Sequence, residues 1–192
     1  MEEFLASSEI IDYTHPNVSA KARELAAGCN SDTEIARQCF EFVRDAIRHT
    51  GDAGEGITTL KASEVLEQGS GWCYAKSHLL AALLRANKIP AALCYQRLSC
   101  SEYTQDIYCL HGLNAVYLKE YGWYRLDARG NKEGVDAQFD PPHEKLAFQL
   151  GEKEYDLPQR YEKPLEVVVN ALKERKNYAE MIGHFPDIED PS

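Results

Sequence analysis

Three residues in the middle of the chain, Cys73, His111 and Asp127, have side chains that together could break or transfer an amide bond. An ionised thiol is a strong nucleophile, an imidazole can take up and return a proton near neutral pH, and a carboxylate can orient that imidazole. Most free cysteines, however, are small buried apolar residues. A catalytic interpretation of Cys73 therefore requires a partner base.

Cys73 lies where a glycine-containing loop meets a strongly apolar helix. Residues 74–86 carry small and apolar side chains around most of the predicted helix, so we expect it to be buried. Gly71 precedes this helix, and Pro90 follows its predicted end. At the first turn of a helix, unpaired backbone N–H groups and the positive end of the dipole favour a thiolate and could donate to an oxyanion.

His111 and Asp127 lie on a predicted β-hairpin whose two strand-like runs are residues 110–118 and 123–127. A folded hairpin returns Asp127 toward His111, so the two could act as a base and its orienting carboxylate. A turn centred near Lys119 would place them opposite one another, whereas a turn centred nearer Tyr121 would move Asp127 away unless a bulge compensates. The sequence leaves both registers open.

The other histidines are weaker candidates for the base. His49 lies at the end of a predicted helix beside Gly51, where a histidine commonly interacts favourably with the helix dipole. His78 lies within the central helix and His143 follows two prolines, and neither has a carboxylate in a comparable strand setting. His111 is therefore the favoured base.

The six cysteines predict free thiols, because nothing in the sequence indicates secretion and their spacing has no compact framework pattern. An alternative is a zinc site built from four residues, Cys94, Cys100, Cys109 and His111. No C-x2-C pair supports that site. We therefore expect no metal and no cofactor.

The composition favours one acidic domain. A length of 192 residues with 44% hydrophobic content suits a single domain over residues 1–192. The formal net charge of −10 argues against non-specific binding to nucleic acid or to an anionic membrane. The N-terminus, MEEFLASSEI, lacks the basic and apolar regions of a signal peptide, and no aliphatic run is long enough to cross a bilayer. We therefore expect a cytoplasmic protein.

Helical patterns dominate the start of the chain, and strand patterns follow the central helix. The remaining predicted elements are N-terminal helices over 17–49, a mobile loop at 51–59, a short helix at 62–68, strands at 91–98 and 145–150, a surface connection at 99–106, a C-terminal helix over 164–182 and a frayed end at 184–192. A catalytic core would span about 60–150. This order predicts an α+β fold in which the N-terminal helices and the cysteine-bearing helix pack on an antiparallel sheet.

Three segments resemble the core motifs of the transglutaminase-like superfamily: GWCYAKSHLLAALLRANKIPA, LHGLNAVYL and GWYRLDARGN. They run from about residue 69 to 131 and keep the order cysteine, histidine, aspartate. The resemblance implies a papain-like transglutaminase core that acts through a thioester intermediate. It also implies that Cys73 is the nucleophile, His111 the general base and acid, and Asp127 the orienting carboxylate.

The superfamily includes protein crosslinkers, deamidases, peptidases and peptide N-glycanases, so the resemblance implies a peptide or protein amide substrate and an acceptor that is either an amine or water. The sequence lacks the zinc-binding cysteine tetrad of peptide N-glycanases and has no room for the accessory domains of animal transglutaminases. The small bacterial-type branch, which includes cysteine proteases, fits best.

Two alternatives remain. Arylamine N-acetyltransferase-like acyl transfer is less favoured, because GSGWC stands where those enzymes have R-G-G-x-C. A non-catalytic peptide-binding module on the same fold is the other alternative, since a fold does not by itself determine an activity.

Overall fold

Helices dominate the first half of the chain and strands most of the second half, in a computed structural model that describes residues 1–100 and 107–188. The helices are α1 (Pro16–Ala26), α2 (Asp32–Ala46), α3 (Thr50–Ala53), α4 (Ala62–Gln68), α5 (Cys73–Ala86), α6 (Glu166–Glu174) and α7 (Tyr178–Met181), with a short 3-10 helix at Glu2–Leu5. The strands are β1 (Arg48–His49), β2 (Ser70–Gly71), β3 (Ala91–Ser99), β4 (Tyr108–Leu118), β5 (Gly122–Leu126), β6 (Gln138–Asp140), β7 (His143–Lys145) and β8 (Tyr155–Asp156). None of the helices described is long and apolar enough to span a lipid bilayer.

The main sheet has four antiparallel strands in the order β5, β4, β3, β8. Strand β3 pairs with β4 along its whole length, whereas β5 pairs only with the part of β4 from Asn114 to Leu118. The first half of β4 therefore has an edge that β5 leaves open. The predicted α+β fold, with helices packed on an antiparallel sheet, is confirmed.

Helix α5 lies in the core, and each of its residues except Ala86 is buried. It contacts α1, α2 and α4 as well as strands β3 and β4. Four of its buried side chains, Lys76, Ser77, His78 and Arg85, are polar or charged, and each bonds to a backbone carbonyl. Buried polar groups need such partners because an unpaired group loses its hydration without compensation.

The N-terminal helices end earlier than the predicted limit of residue 49. Helix α2 stops at Ala46, and the next residues turn into strand β1, which pairs in parallel with β2. The Arg48 N–H donates to the Gly69 carbonyl at 2.9 Å, so the backbone bonds across to a neighbouring segment rather than within the helix. The prediction that His49 ends a helix is therefore wrong.

The glycine-rich stretch at 51–59 contains more regular structure than the predicted loop. Its first residues belong to the helical turn α3, which Gly54 closes in the left-handed conformation with φ at 70°. Farther on, the Thr58 N–H donates to the carbonyl of Lys176 at 2.9 Å. This stretch therefore connects the site-bearing region to the C-terminal helices.

The predicted C-terminal helix over 164–182 is wrong in its middle, where the chain breaks into α6 and α7. Arg175 is extended, and Asn177 forms an isolated β-bridge with Ile57. This long-range pairing takes the backbone bonds that a continuous helix would need. The predicted strand at 145–150 is also misplaced, because β7 ends at Lys145, the first residue of that range.

The C-terminal residues 184–188 pack on the sheet, although the sequence predicted fraying. The Pro186 carbonyl accepts from the Leu110 N–H at 2.8 Å, and Asp187 accepts two bonds of 2.7 Å from Arg97. The rest of the segment that was predicted to fray lies outside the described residues.

Cys100 and Cys109 form a disulfide, so the prediction of six free thiols is wrong for this pair. The β3–β4 hairpin brings the two together, since the Cys100 N–H donates to the Ile107 carbonyl at 2.8 Å and the two cysteine Cα atoms are 6.3 Å apart. That separation suits a disulfide. Of the surface connection predicted at 99–106, the part at 101–106 lies outside the described residues.

Candidate active site

Cys73 is the first residue of α5, where the helix begins with unpaired N–H groups. The preceding residue, Trp72, provides no side-chain capping bond. The Cys73 residue is only 8% exposed, and the Gly112 N–H points at its sulfur with an N–Sγ distance of 3.5 Å. The thiol therefore lies in a nearly dry and electropositive setting, at the edge of β4 that β5 leaves open.

Strand β4 and helix α5 approach each other very closely at this point. A Cβ atom on Gly112 would lie 2.9 Å from the Tyr74 Cα and 3.1 Å from the Tyr74 backbone nitrogen. Only glycine, which has no Cβ, can occupy this position without moving the backbone. The strand that carries His111 therefore packs directly on the first turn of the helix that carries Cys73.

His111 and Asp127 form a buried pair beside the thiol. The His111 Nε2 lies 2.7 Å from the Asp127 Oδ2, and the two residues are 5% and 0% exposed. With Asn114 opposite Leu126, Asp127 follows the end of β5 and lies diagonally across from His111. The centre of the hairpin turn therefore lies midway between Lys119 and Tyr121, the two turn centres that the sequence left open.

The Asp127 carboxylate is held by further bonds. Its Oδ1 accepts from the Arg129 N–H at 3.1 Å, and its Oδ2 accepts from the Ala147 N–H at 3.2 Å. The His111 ring also meets Phe148 edge to face, with the ring centres 5.0 Å apart. Because Nε2 of His111 is bound to Asp127, its Nδ1 is the nitrogen left for the thiol.

Cys73 and His111 shift each other's ionisation. Burial raises the pKa of the Cys73 thiol, but the charge and hydrogen bond of His111, followed by the influence of the nearby His49, outweigh burial and bring this pKa to about 6. Burial lowers the pKa of His111, but the charges of Asp127 and Cys73 outweigh it and raise this pKa to about 10. A thiolate and an imidazolium can therefore coexist between these two values.

His49 is a site residue that the sequence reasoning missed. Strand β1 places it opposite Gly71, and its ring meets Trp72 edge to face with the ring centres 5.8 Å apart. Its Nδ1 accepts from the Asp52 N–H at 3.3 Å. The sequence did contain a signal for His49, namely the carboxylate of Asp52 three residues later. This signal was overlooked because α2 was predicted to extend to His49.

Asp52 connects the region of His49 to that of Asp127. Arg129 donates two bonds of 2.6 Å to Asp52, while its own backbone N–H binds Asp127. Burial raises the pKa of the Asp52 carboxyl, but its contact with His49 and the hydrogen bonds and charge of Arg129 outweigh burial and hold this pKa well below its usual range. The two histidines are thus anchored by one connected set of charged groups.

The other candidate ligands and bases lie elsewhere. His78 is fully buried and bonded to a backbone carbonyl, whereas His143 is exposed on β7. Cys94 lies in a separate apolar cluster, and the other two cysteines of the alternative zinc site, Cys100 and Cys109, are bonded to each other. In the described parts of the chain, no three histidine, cysteine or acidic side chains are grouped as a metal site would require.

A pocket of about 280 Å³ adjoins the site on the side of His49 and Asp52. Neither Cys73 nor His111 lines this pocket. Because the thiol is almost completely covered, an external molecule can reach it only after some of the surrounding groups move.

A cysteine at the start of a buried helix, next to a histidine and an aspartate from adjoining antiparallel strands, defines the papain-like transglutaminase core, and this chain has that fold. The chain belongs to the transglutaminase-like superfamily. The family model matches residues 19–128, more than half of the chain, and the match includes Cys73, His111 and Asp127. No functionally curated protein matches the chain.

Two solved structures are similar to this chain at low sequence identity. One, named as a putative cysteine protease from Cytophaga hutchinsonii, is 17% identical with a TM-score of 0.52, and the alignment covers 66% of this chain and 40% of that one. The periplasmic domain of TgpA from Pseudomonas aeruginosa, bound to ethylmercury, is 18% identical with a TM-score of 0.46, covering 65% of this chain and 46% of that one. The chain spans less than half the length of these structures.

Proposed function

We propose that this chain is a cysteine-dependent enzyme that transfers the acyl group of a peptide or protein amide to water or to an amine. Membership of the transglutaminase-like superfamily supports this class of chemistry. The observation that carries the proposal is the arrangement of Cys73 at the start of α5, beside a His111 that is bound to Asp127 at 2.7 Å.

In the first half of the proposed reaction, the Cys73 thiolate attacks the carbonyl carbon of the amide, and the electron pair of the C=O bond moves to oxygen. The oxyanion then reforms the C=O bond while the C–N bond breaks. The His111 imidazolium gives its proton to the departing nitrogen. The products are a free amine and a thioester on Cys73.

In the second half, water or an acceptor amine attacks the thioester. His111, now neutral, takes the proton of the attacking group, and the C–S bond breaks to restore the Cys73 thiolate. Asp127 keeps the imidazole oriented and stabilises its charged form in both halves. The starting ion pair is thus regenerated, and no cofactor is consumed.

Hydroxylamine trapping tests this proposal without knowledge of the natural acceptor. Hydroxylamine attacks a thioester and releases the acyl group as a hydroxamate, so a peptide library treated with the protein should yield hydroxamates that mass spectrometry can sequence. We expect these products from the wild type and none from Cys73→Ala. The matched control is Cys29→Ala, which changes a partly buried thiol outside the site and should keep full yield.

The same measurement separates the enzyme from a non-catalytic binding module. Equal hydroxamate yield from wild type and Cys73→Ala would rule out Cys73 as the nucleophile. Peptides that bind the folded protein but yield no Cys73-dependent hydroxamate would favour the binding module.

A further inference from the structure

We propose that His49 is a further catalytic residue of this site, donating a hydrogen bond from its Nε2–H to the substrate carbonyl oxygen as that oxygen becomes an oxyanion. The inference rests on the proposed function, because an oxyanion forms only when the thiolate adds to a carbonyl. Preorganised donors aimed at developing charge are often the largest single contribution to catalysis.

The backbone fixes His49 next to the nucleophile. Strands β1 and β2 pair in parallel with His49 opposite Gly71, two residues before Cys73. One residue earlier, the Arg48 N–H donates to the Gly69 carbonyl at 2.9 Å. The histidine thus belongs to the short sheet that leads into the first turn of α5.

A buried lysine strengthens this placement. Lys76 lies one turn after Cys73 on α5, is fully buried, and donates hydrogen bonds from its Nζ to the carbonyls of Ile47 and Arg44. These carbonyls belong to the end of α2 and the residue after it, just before strand β1. The central helix therefore holds the segment that carries His49 through a direct side-chain contact.

The imidazole ring is confined on two sides. It lies edge-on to Trp72, and a Cβ on Gly51 would come within 2.9 Å of both the His49 Cε1 and the Trp72 Cζ3. The His49 side chain is only 10% exposed. The ring is therefore held in place before any substrate binds, as electrostatic preorganisation requires.

Its hydrogen bonds assign the proton to Nε2. The His49 Nδ1 accepts from the Asp52 N–H at 3.3 Å, whereas the Asp52 Oδ1 is farther away at 3.7 Å. A neutral imidazole that accepts at Nδ1 carries its hydrogen on Nε2. His49 has no free lone pair for the work of a base and can only donate, which is the opposite of His111, whose Nε2 is bound to Asp127.

His49 also influences the ionisation of the thiol. Burial raises the pKa of Cys73, His111 lowers it most, and His49 lowers it further, so the proximity of His49 favours the thiolate. During attack, negative charge moves from the sulfur to an oxygen on the adjacent carbon. The Nε2–H of His49 can therefore donate to this oxygen as its negative charge develops. The proton stays on His49 throughout.

Two substitutions separate donation from helix capping. His49→Asn keeps a short side chain that can accept from the Asp52 N–H but cannot reach the thiol, whereas His49→Gln is long enough to present an amide N–H there. His143→Asn, at an exposed histidine of β7, is the matched control. Each variant should be compared at about pH 8, between the pKa values of Cys73 and His111.

The readouts are the rate of Cys73 acetylation by p-nitrophenyl acetate and the rate of its alkylation by iodoacetamide, both followed by peptide mapping. Acetylation passes through an oxyanion, whereas alkylation displaces iodide and does not. We expect His49→Asn to slow acetylation by about tenfold to a thousandfold while alkylation changes by less than about threefold. His49→Gln should recover part of the acetylation rate.

Three results would contradict the proposal in distinguishable ways. If His49→Asn acetylates like the wild type, His49 is no oxyanion donor, and the proposed function is unaffected. If both rates fall together, His49 acts on the thiolate or on the fold instead. If wild-type Cys73 accepts no acetyl group although iodoacetamide alkylates it, the proposed function itself fails, and this role for His49 fails with it.

Discussion

At the scale of single residues, the Asp127 carboxylate controls both the orientation and the charge of His111. Asp127→Asn should keep the fold but lower turnover by roughly two to four orders of magnitude, because an amide can stabilise the wrong tautomer and carries no charge. Since the Asp127 charge raises the pKa of His111, its loss should also move the alkaline limit of activity to lower pH.

The measurement for this variant is the pH dependence of hydroxamate formation. The control is Asp136→Asn, which alters a carboxylate on the surface. An alkaline limit that stays in place in Asp127→Asn would mean that the carboxylate does not set the ionisation of His111.

At the scale of the elements, activity depends on how closely β4 packs on α5. Gly112→Ala would force a methyl group against the Tyr74 backbone, so the strand and helix must separate. We expect a loss of about 1–3 kcal/mol of unfolding free energy and a larger fractional loss of activity than of stability. Urea denaturation and hydroxamate formation measure the two effects.

Gly151→Ala is the matched control for this substitution, because its new Cβ would meet only the flexible Glu154 side chain. If Gly112→Ala is as stable and as active as Gly151→Ala, the close contact does not position the histidine.

The C-terminal residues cover Trp72, the residue that precedes Cys73. Trp72 stacks on Tyr178 with the ring centres 6.0 Å apart and meets Phe185 edge to face at 5.3 Å, while Asp187 is anchored by Arg97. Asp187→Ala should loosen this cover and speed iodoacetamide alkylation of Cys73 by about two- to tenfold.

Peptide mapping against Asp140→Ala, which removes an exposed carboxylate, provides the comparison for this prediction. An unchanged alkylation rate in Asp187→Ala would show that reagents reach the thiol by a route that does not require this segment to move.

At the scale of the whole molecule, Arg85 near the end of α5 forms hydrogen bonds with segments that are distant in sequence. Its guanidinium is buried and donates to the carbonyls of Ala6, Ala91 and Glu162 at 2.8–3.0 Å. Arg85→Met would leave these acceptors without their donor and should lower the free energy of unfolding by roughly 2–5 kcal/mol.

Urea denaturation measures this loss, with Arg23→Met on the exposed surface of α1 as the control. Arg85→Met should leave the alkylation of Cys73 in the folded protein unchanged, since Arg85 lies at the opposite end of α5. Equal stability of the two variants would mean that water replaces the guanidinium at little cost.

The sequence predicted the elements whose signals are local. The small and apolar run of α5 and the strand patterns around the hairpin were sufficient to locate Cys73, His111 and Asp127 on adjacent elements. The elements missed depend on contacts between distant residues. Strand β1 exists because its backbone pairs with β2, and the break after α6 exists because Asn177 bridges to Ile57. The role that we propose for His49 follows from the first of these pairings.

The pH dependence of Cys73 alkylation tests the central claim most directly. An ordinary thiol has a pKa of about 8.5 and gains reactivity steeply with alkali. Cys73 should instead reach a plateau above about pH 6 and keep it to about pH 10, and His111→Ala should move the onset of this plateau upward. Peptide mapping resolves Cys73 from Cys29, the partly buried internal reference. If both cysteines follow one pH profile and His111→Ala leaves that profile unchanged, the thiolate–imidazolium pair does not exist in the resting protein.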